Sequence, residues 1–261
     1  MTEEPTGTRL AVLLGNTTCR FGLMEGLEVR RGLVLTHAQL LESGAAQRLR
    51  ELCEGQLIEE TGLCSVVPSL EAAVAVLLQA AGLAPFRRVE PAESTFFPTR
   101  YRSMDTLGAD RYCGVLAARE RYGAPVIVAD CGTATTVNVV DAEGFFLGGA
   151  IAPGVETALQ VLHDRTAQLP QVDISQSAEG IASLIGNDTA GCMRAGAVDF
   201  TRYALEGMVG EIKKLTGDNT PFILTGGNAP VLLAAGLSIS PQVYEQELLF
   251  GGLIFYLLFT R

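Results

Sequence analysis

Residues 9–26, RLAVLLGNTTCRFGLMEG, and residues 124–154, APVIVADCGTATTVNVVDAEGFFLGGAIAPG, are built to one plan: an apolar strand, a tight glycine–threonine turn and a second strand. Setting Gly15 over Gly132 matches Ala11-Val12 to Val128-Ala129 and puts Leu13 against Asp130. It also aligns CRFGLMEG with TVNVVDAEG, with one extra residue in the second copy. Copies 117 residues apart are too widely spaced for a solenoid, so duplicated domains are expected. The join is placed near Arg119 to Ala124, giving an N-terminal domain over residues 1–118 and a C-terminal domain over residues 119–261.

Around these copies apolar runs alternate with helical spacing, the pattern of an α/β fold. The spacing predicts a helix over Ala38–Leu52, a strand over Leu63–Leu70 ended by Pro68, and a helix over Glu71–Ala81. Pro85–Thr106, rich in Pro, Arg and aromatics, reads as a surface connection leading to a helix over Leu107–Tyr122. Next come a helix over Val155–Leu169 closed by Pro170, and one long helix that starts at Asn187-Asp188-Thr189 and ends at Gly217. Residues 221–236 read as a strand, a Gly-Gly turn and a short helix. Leu248–Phe259 is about half the length of a membrane span and is broken by Gly251-Gly252, so it reads as a buried helix.

A chain of 261 residues that is 48% hydrophobic can fill a substantial core. Its net charge of −10 repels phosphate backbones and anionic lipid, which points to a small-molecule ligand and away from nucleic acid or a membrane. The acidic start Met1-Thr2-Glu3-Glu4-Pro5 lacks the basic residues and apolar run of a secretory signal, so a cytoplasmic protein is expected. Cys19, Cys53, Cys64, Cys113, Cys131 and Cys192 lie far apart with only His37 and His163 to join them. They read as buried free thiols rather than zinc ligands. Lysine occurs only as Lys213 and Lys214, neither after a glycine-rich turn, so the usual P-loop is absent.

Any phosphate is then left to the turns. Gly132-Thr133-Ala134-Thr135-Thr136 offers main-chain N–H groups and hydroxyls, and Gly132 lets a ligand approach the backbone, although an ordinary hairpin turn has the same composition. The other copy supplies Leu14, Gly15, Asn16, Thr17 and Thr18, and a third glycine turn, Thr225-Gly226-Gly227-Asn228, follows a strand. Two such hairpins facing each other could clamp a triphosphate, with the third turn along an adenosine. LGADRYCG, residues 107–114, puts Asp110 and Arg111 together in the first turn of a helix. One reading makes Asp110 a partner of the helix dipole and Arg111 its surface ion pair. The other makes Asp110 a general base toward a hydroxyl and Arg111 a bidentate clamp on a substrate carboxylate.

The GNT turn at Gly15, SVVP at Ser65–Pro68, GADR at Gly108–Arg111, DCGTATT at Asp130–Thr136, GGAIAPG at Gly148–Gly154, GNDT at Gly186–Thr189 and TGGNA at Thr225–Ala229 together resemble the type III pantothenate kinases. They occur in that family's order and run from about residue 10 to residue 253. The resemblance implies two ribonuclease H-like domains of the acetate and sugar kinase, chaperone and actin superfamily, with ATP between them, and phosphorylation of pantothenate as the reaction. It also implies Asp110 as the base, with Tyr101, Gly108, Ala109, Arg111 and Thr189 around pantothenate. ATP would be touched by Leu14, Gly15, Asn16, Thr17, Thr18, Thr133, Gly226 and Gly227. Asp130 would be the ligand of a monovalent cation, K+ or NH4+, with Mg2+ accompanying ATP. A homodimer is implied, the partner subunit helping to close the pantothenate pocket.

One position departs from the family. Its first turn begins D-x-G-N-T, and here Leu13 stands where that aspartate would support the magnesium. Two expectations follow: a working kinase with weaker metal or ATP affinity, or a pantothenate- or nucleotide-binding protein that transfers phosphate poorly.

Overall fold

The computed structural model describes residues 7–93, 96–174, 184–240 and 242–259. Its first sheet contains β1 (Thr8–Leu14), β2 (Thr18–Glu25), β3 (Glu28–Thr36), β4 (Ile58–Ser65) and β5 (Phe86–Arg88), in the order β3-β2-β1-β4-β5. The second contains β6 (Val126–Cys131), β7 (Ala134–Val140), β8 (Phe146–Pro153), β9 (Phe222–Thr225) and β10 (Gln242–Tyr244), in the matching order β8-β7-β6-β9-β10. In each sheet the first three strands run antiparallel and the last two add in parallel. The helices are α1 (His37–Leu40), α2 (Ala45–Leu52), α3 (Pro68–Ala80), α4 (Ala109–Tyr122), α5 (Val155–Arg165), α6 (Thr189–Thr216), α7 (Ala229–Ala234) and α8 (Leu248–Phe259). Two sheets of one strand order and one set of directions make the duplication structural: an α/β fold of two ribonuclease H-like halves.

The ladders refine the alignment of the copies. Leu14 pairs with Cys19 and Cys131 pairs with Thr135, so the first turn is the longer by one residue. The extra residue therefore belongs to the first turn and not to the second copy's strand. Leu13 and Asp130 do hold equal places, Leu13 opposite Arg20 and Cys64, Asp130 opposite Thr136 and Thr225.

Each half has its own core, filled by alternate residues of its central strand because side chains in a strand change face at every step. Leu10, Val12 and Leu14 pack with Leu49 of α2 and with Val74 and Leu78 of α3. Ile127, Ala129 and Cys131 pack with Leu159 of α5 and with Val198 and Leu205 of α6. Burial of each such leucine stabilises the fold by about 1.5–3 kcal/mol.

Contacts divide the chain into one unit of residues 1–121 with 247–261 and another of residues 122–246. The join lies close to the expected boundary of 118 and 119, but the last helix goes with the first unit and not with the C-terminal half. Added Cβ atoms show why. One on Gly22 would come within 2.8 Å of the Phe250 ring, and one on Gly62 within 2.8 Å of Leu257, so α8 lies flat on the first sheet where two strands lack side chains. A helix apolar on all sides carries no mark of which sheet it covers. Among the described residues no helix is long and apolar enough to cross a membrane.

Several expected boundaries move for local reasons. The stretch Ala38–Leu52 is two helices, with Thr36 capping α1 through a reciprocal pair of bonds with Gln39 and a break before Ala45. Pro68 opens α3 instead of trailing a strand, because a residue without an N–H is suited to the first helical position. The strand before it, β4, ends at Ser65. Helix α5 stops at Arg165, where Thr166 turns extended. The edge strand β5 lies inside the expected connection 85–106. Cys19, Cys53, Cys64, Cys113 and Cys131 are buried, whereas Cys192 is exposed.

Candidate functional site

In the first unit the glycine turn is tied down on three sides. Gly15 N donates to Thr18 O at 3.0 Å, Leu14 O accepts from Val66 N at 3.0 Å, and Gly15 O lies 2.9 Å from His37 Nε2. A carbonyl only accepts, so His37 Nε2 carries the proton of that bond. Asn16 and Thr17 stand exposed at the tip. Leu14, by contrast, has its side chain in the core, 1% exposed, and its carbonyl engaged by Val66. Just past the turn, Arg20 Nη2 bonds Glu247 Oε2 at 2.7 Å, and its guanidinium sits 5.0 Å from the Phe250 ring centre.

Directly after β4, Val66, whose N–H holds Leu14 O, meets the start of α4. The Asp110 carboxylate folds back over Gly108, where an added Cβ would strike Asp110 Oδ1 and lie 3.8 Å from Val66 Cγ1. Oδ1 accepts the main-chain N–H of Arg111 at 2.7 Å. Burial raises the Asp110 pKa above the usual carboxylate value, opposed by that N–H and by the Arg111 charge. Arg111 is itself buried, and its guanidinium lies 5.6 Å from the centre of the Tyr101 ring. Gly108, Ala109, Asp110, Arg111 and Tyr101 thus form one assembly with Val66 of SVVP. A carboxylate that holds its proton more tightly is a better base toward an alcohol, and a buried guanidinium beside an aromatic face suits a planar anion.

The second unit repeats the turn with different ties. Gly132 N donates to Ala134 O at 3.0 Å, and Gly132 O accepts from Asn228 Nδ2 at 3.0 Å. Thr133 O accepts from Gly154 N at 3.0 Å and from Thr157 Oγ1 at 2.6 Å. Asn228 N also reaches Cys131 O at 2.7 Å, so the Gly226-Gly227 turn is bound to the Gly132 turn behind it. Gly226 has φ +95°, and a Cβ there would collide with Asp130 Oδ1 and with Cys131, so glycine is needed both for the backbone and for the carboxylate's room. Gly15 and Gly132 differ: an added Cβ would meet nothing closer than 3.5 Å and 3.8 Å respectively. The chain's own packing does not require glycine at either turn, and the missing side chain leaves the backbone open to approach.

Asp130, one residue before the end of β6, sets its carboxylate Oδ1 in the space beside Gly226, a hard oxygen of the kind a cation takes. Among the described residues no three His, Cys, Asp or Glu side chains are grouped to hold a metal. A magnesium ion would therefore draw most of its ligands from phosphate and water, a habit of that ion. Leu13 at the matching place in β1 is 6% exposed and provides no donor at all.

Thr189 is exposed at the start of α6, whose N-cap Asp188 accepts from Gly191 N at 2.6 Å. It belongs to the second unit, whereas Tyr101 and the GADR residues belong to the first. His37, Arg20 and Thr157 were not singled out from sequence as site residues, and Asn228 was named only as the last residue of the third glycine turn. A histidine that reaches a carbonyl 22 residues away has no local signal. Asn228 had one, an amide directly after two glycines.

A family model described as type III pantothenate kinase matches residues 9–211. The type III pantothenate kinase of Thermomicrobium roseum is 35% identical over 229 residues, covering 85% of this chain and 87% of that one. Among solved structures, a Baf family protein from Campylobacter jejuni superposes with a TM-score of 0.58 at 18% identity, covering 96% of this chain and 98% of that one. Component A of the (R)-2-hydroxyglutaryl-CoA dehydratase of Acidaminococcus fermentans gives a TM-score of 0.54 at 13% identity, covering 95% of each chain.

Proposed function

The chain belongs to the type III pantothenate kinase family, and from that premise, a kinase that phosphorylates pantothenate with ATP in the first step of coenzyme A biosynthesis, we propose how its residues share the work. Asp110 accepts the proton of the pantothenate hydroxyl as that oxygen bonds to the terminal phosphorus of ATP and the bond from that phosphorus to the bridging oxygen breaks, releasing ADP. Arg111 holds the pantothenate carboxylate by two parallel N–H bonds, with Tyr101 steadying the guanidinium and the Gly108-Ala109 backbone lining the site. Thr189 is assigned to pantothenate by the family resemblance alone.

The N–H groups of Asn16 and Thr17 and the hydroxyls of Thr17 and Thr18 take phosphate oxygens in the first unit. Thr133 does so in the second, where Gly226 and Gly227 leave room for the nucleoside. Asp130 ligates a monovalent cation, K+ or NH4+. Mg2+ comes with ATP and, when bound, neutralises charge on the phosphates, which a chain without a P-loop lysine cannot do alone.

We infer a cytoplasmic homodimer that handles small molecules. Its support is the net charge of −10, unsuited to nucleic acid or anionic lipid, and the exposed Phe200 and Tyr203 on α6, large apolar rings that a second copy would cover. Sedimentation of wild type against F200E tests this part.

The observation that carries the catalytic reading is the folded Asp110–Arg111–Tyr101 assembly. Its test is ADP release coupled to pantothenate, ATP, Mg2+ and K+, with D110N as the comparison. Turnover that survives D110N defeats it.

A further inference from the structure

The two glycine turns differ in length and in the elements around them, yet both hold the carbonyl of their leading glycine with a side-chain N–H from elsewhere in the same unit. Gly15 O is bonded by His37 Nε2 at 2.9 Å, and Gly132 O by Asn228 Nδ2 at 3.0 Å. His37 is the first residue of α1, and Asn228 is the residue before α7. The donors are chemically unrelated, and they follow different strands, β3 and β9. What they share is the atom they hold.

A trans peptide is planar, with its C=O and its N–H pointing opposite ways. Fixing Gly15 O toward His37 therefore fixes the Asn16 N–H in the opposite direction, and fixing Gly132 O toward Asn228 does the same for the Thr133 N–H. The main-chain N–H of each leading glycine is already spent inside the turn, on Thr18 O and on Ala134 O. The N–H of the following residue is then the one whose direction the anchored carbonyl sets.

We propose that His37 and Asn228 are positioning residues for the phosphate turns, each aiming one main-chain N–H at the phosphates of ATP without touching the nucleotide itself. The proposal rests on the reading of these turns as ATP sites and adds the means by which their donors are preorganised. Free rotation of either peptide would leave its N–H averaged over directions, and donors that need no reorganisation are the ones that bind charge well.

The experiment is a steady-state comparison of wild type, H37A, H37Q and N228A. A glutamine places its amide N–H at about the reach of a histidine Nε2, so H37Q retains the anchor and H37A removes it. Loss of one such bond is expected to raise the KM for ATP about fivefold in H37A and in N228A, with the KM for pantothenate changed by less than about twofold and H37Q returning toward wild type. An unchanged KM for ATP in H37A overturns the proposal, as does a parallel rise in both KM values that H37Q fails to relieve. Amide hydrogen exchange on wild type gives a second readout that needs no variant. Binding of a non-hydrolysable ATP analogue should protect the Asn16 and Thr133 amides, and an absence of protection at both overturns the proposal even where a variant does not fold. Wild type that binds no ATP would sink the reading of the turns themselves, whereas normal wild-type binding with a silent H37A sinks the anchor alone.

Discussion

Asp110 Oδ1 accepts the main-chain N–H of Arg111 at 2.7 Å, which bends the carboxylate back over Gly108 and out of open water. Burial raises its pKa, so the folded protein takes up this proton more readily than the unfolded chain does. Stability linked to such a group is complete below the unfolded chain's carboxylate range and is lost as pH rises through the higher folded value. At neutral pH the Asp110 carboxyl group therefore weakens the fold relative to a neutral side chain in its place. D110N should lower kcat by roughly a thousandfold, as expected for loss of a general base, while melting higher than wild type at neutral pH. The difference in Tm should close as pH falls below the ordinary carboxylate range. A D110N protein that melts lower at neutral pH would contradict this account of the carboxylate's environment.

Arg111 tests the recognition half of the same assembly. Lysine keeps the charge but gives up the planar fork and the face it presents to Tyr101, 5.6 Å away. R111K should raise the KM for pantothenate about tenfold or more and leave the KM for ATP near its original value. Pantothenamides, which lack the carboxylate, should discriminate little between the two proteins. Equal losses toward pantothenate and pantothenamide would remove the carboxylate clamp.

The duplication was legible in the sequence because glycine–threonine turns between apolar strands are short and self-contained. Leu13 and Asp130 could be set in register from letters alone. What escaped was whatever depends on distant chain. The short edge strands β5 and β10 are made mostly of polar and aromatic residues without an apolar period. The side that α8 covers is decided by Gly22 and Gly62, residues that read as ordinary strand positions. At the site, Asp110 and Arg111 are neighbours in the chain and were found together, whereas His37 reaches Gly15 across 22 residues and left no trace. Motifs recorded the candidate ligand-facing groups, and the bonds that hold those motifs in place, such as His37 to Gly15, were visible only in three dimensions.

Asp130 makes the cation reading testable. Its Oδ1 occupies the space that Gly226 leaves by having no side chain. D130N should abolish the stimulation by K+ and leave a low rate that no longer responds when K+ is exchanged for a large organic cation. G226A should reach the same state indirectly, since a Cβ at φ +95° both strains the backbone and pushes the carboxylate aside. It should also destabilise the fold by about 1–3 kcal/mol, visible as a lower denaturation midpoint. A D130N enzyme with wild-type K+ stimulation would place the cation elsewhere.

Leu13 is where the magnesium part of the proposal can be tested. It is 6% exposed and lies opposite Arg20, whose guanidinium is already bonded to Glu247. The matching place in the second half holds a carboxylate, and Gly226 makes room for it. The first half has no such cradle, since Ser65 stands where Gly226 stands. L13D should therefore lower the Mg2+ concentration needed for half-maximal rate, because a hard oxygen donor now lies beside the first phosphate turn. The same change buries a charge opposite Arg20, which already bonds Glu247, and it should destabilise the fold by about 1–3 kcal/mol. A metal titration that superposes on wild type, with the stability loss present, would show that the end of β1 takes no part in holding the metal. A lower Mg2+ requirement without any gain in kcat would place the effect of Leu13 on binding and leave proton transfer to Asp110.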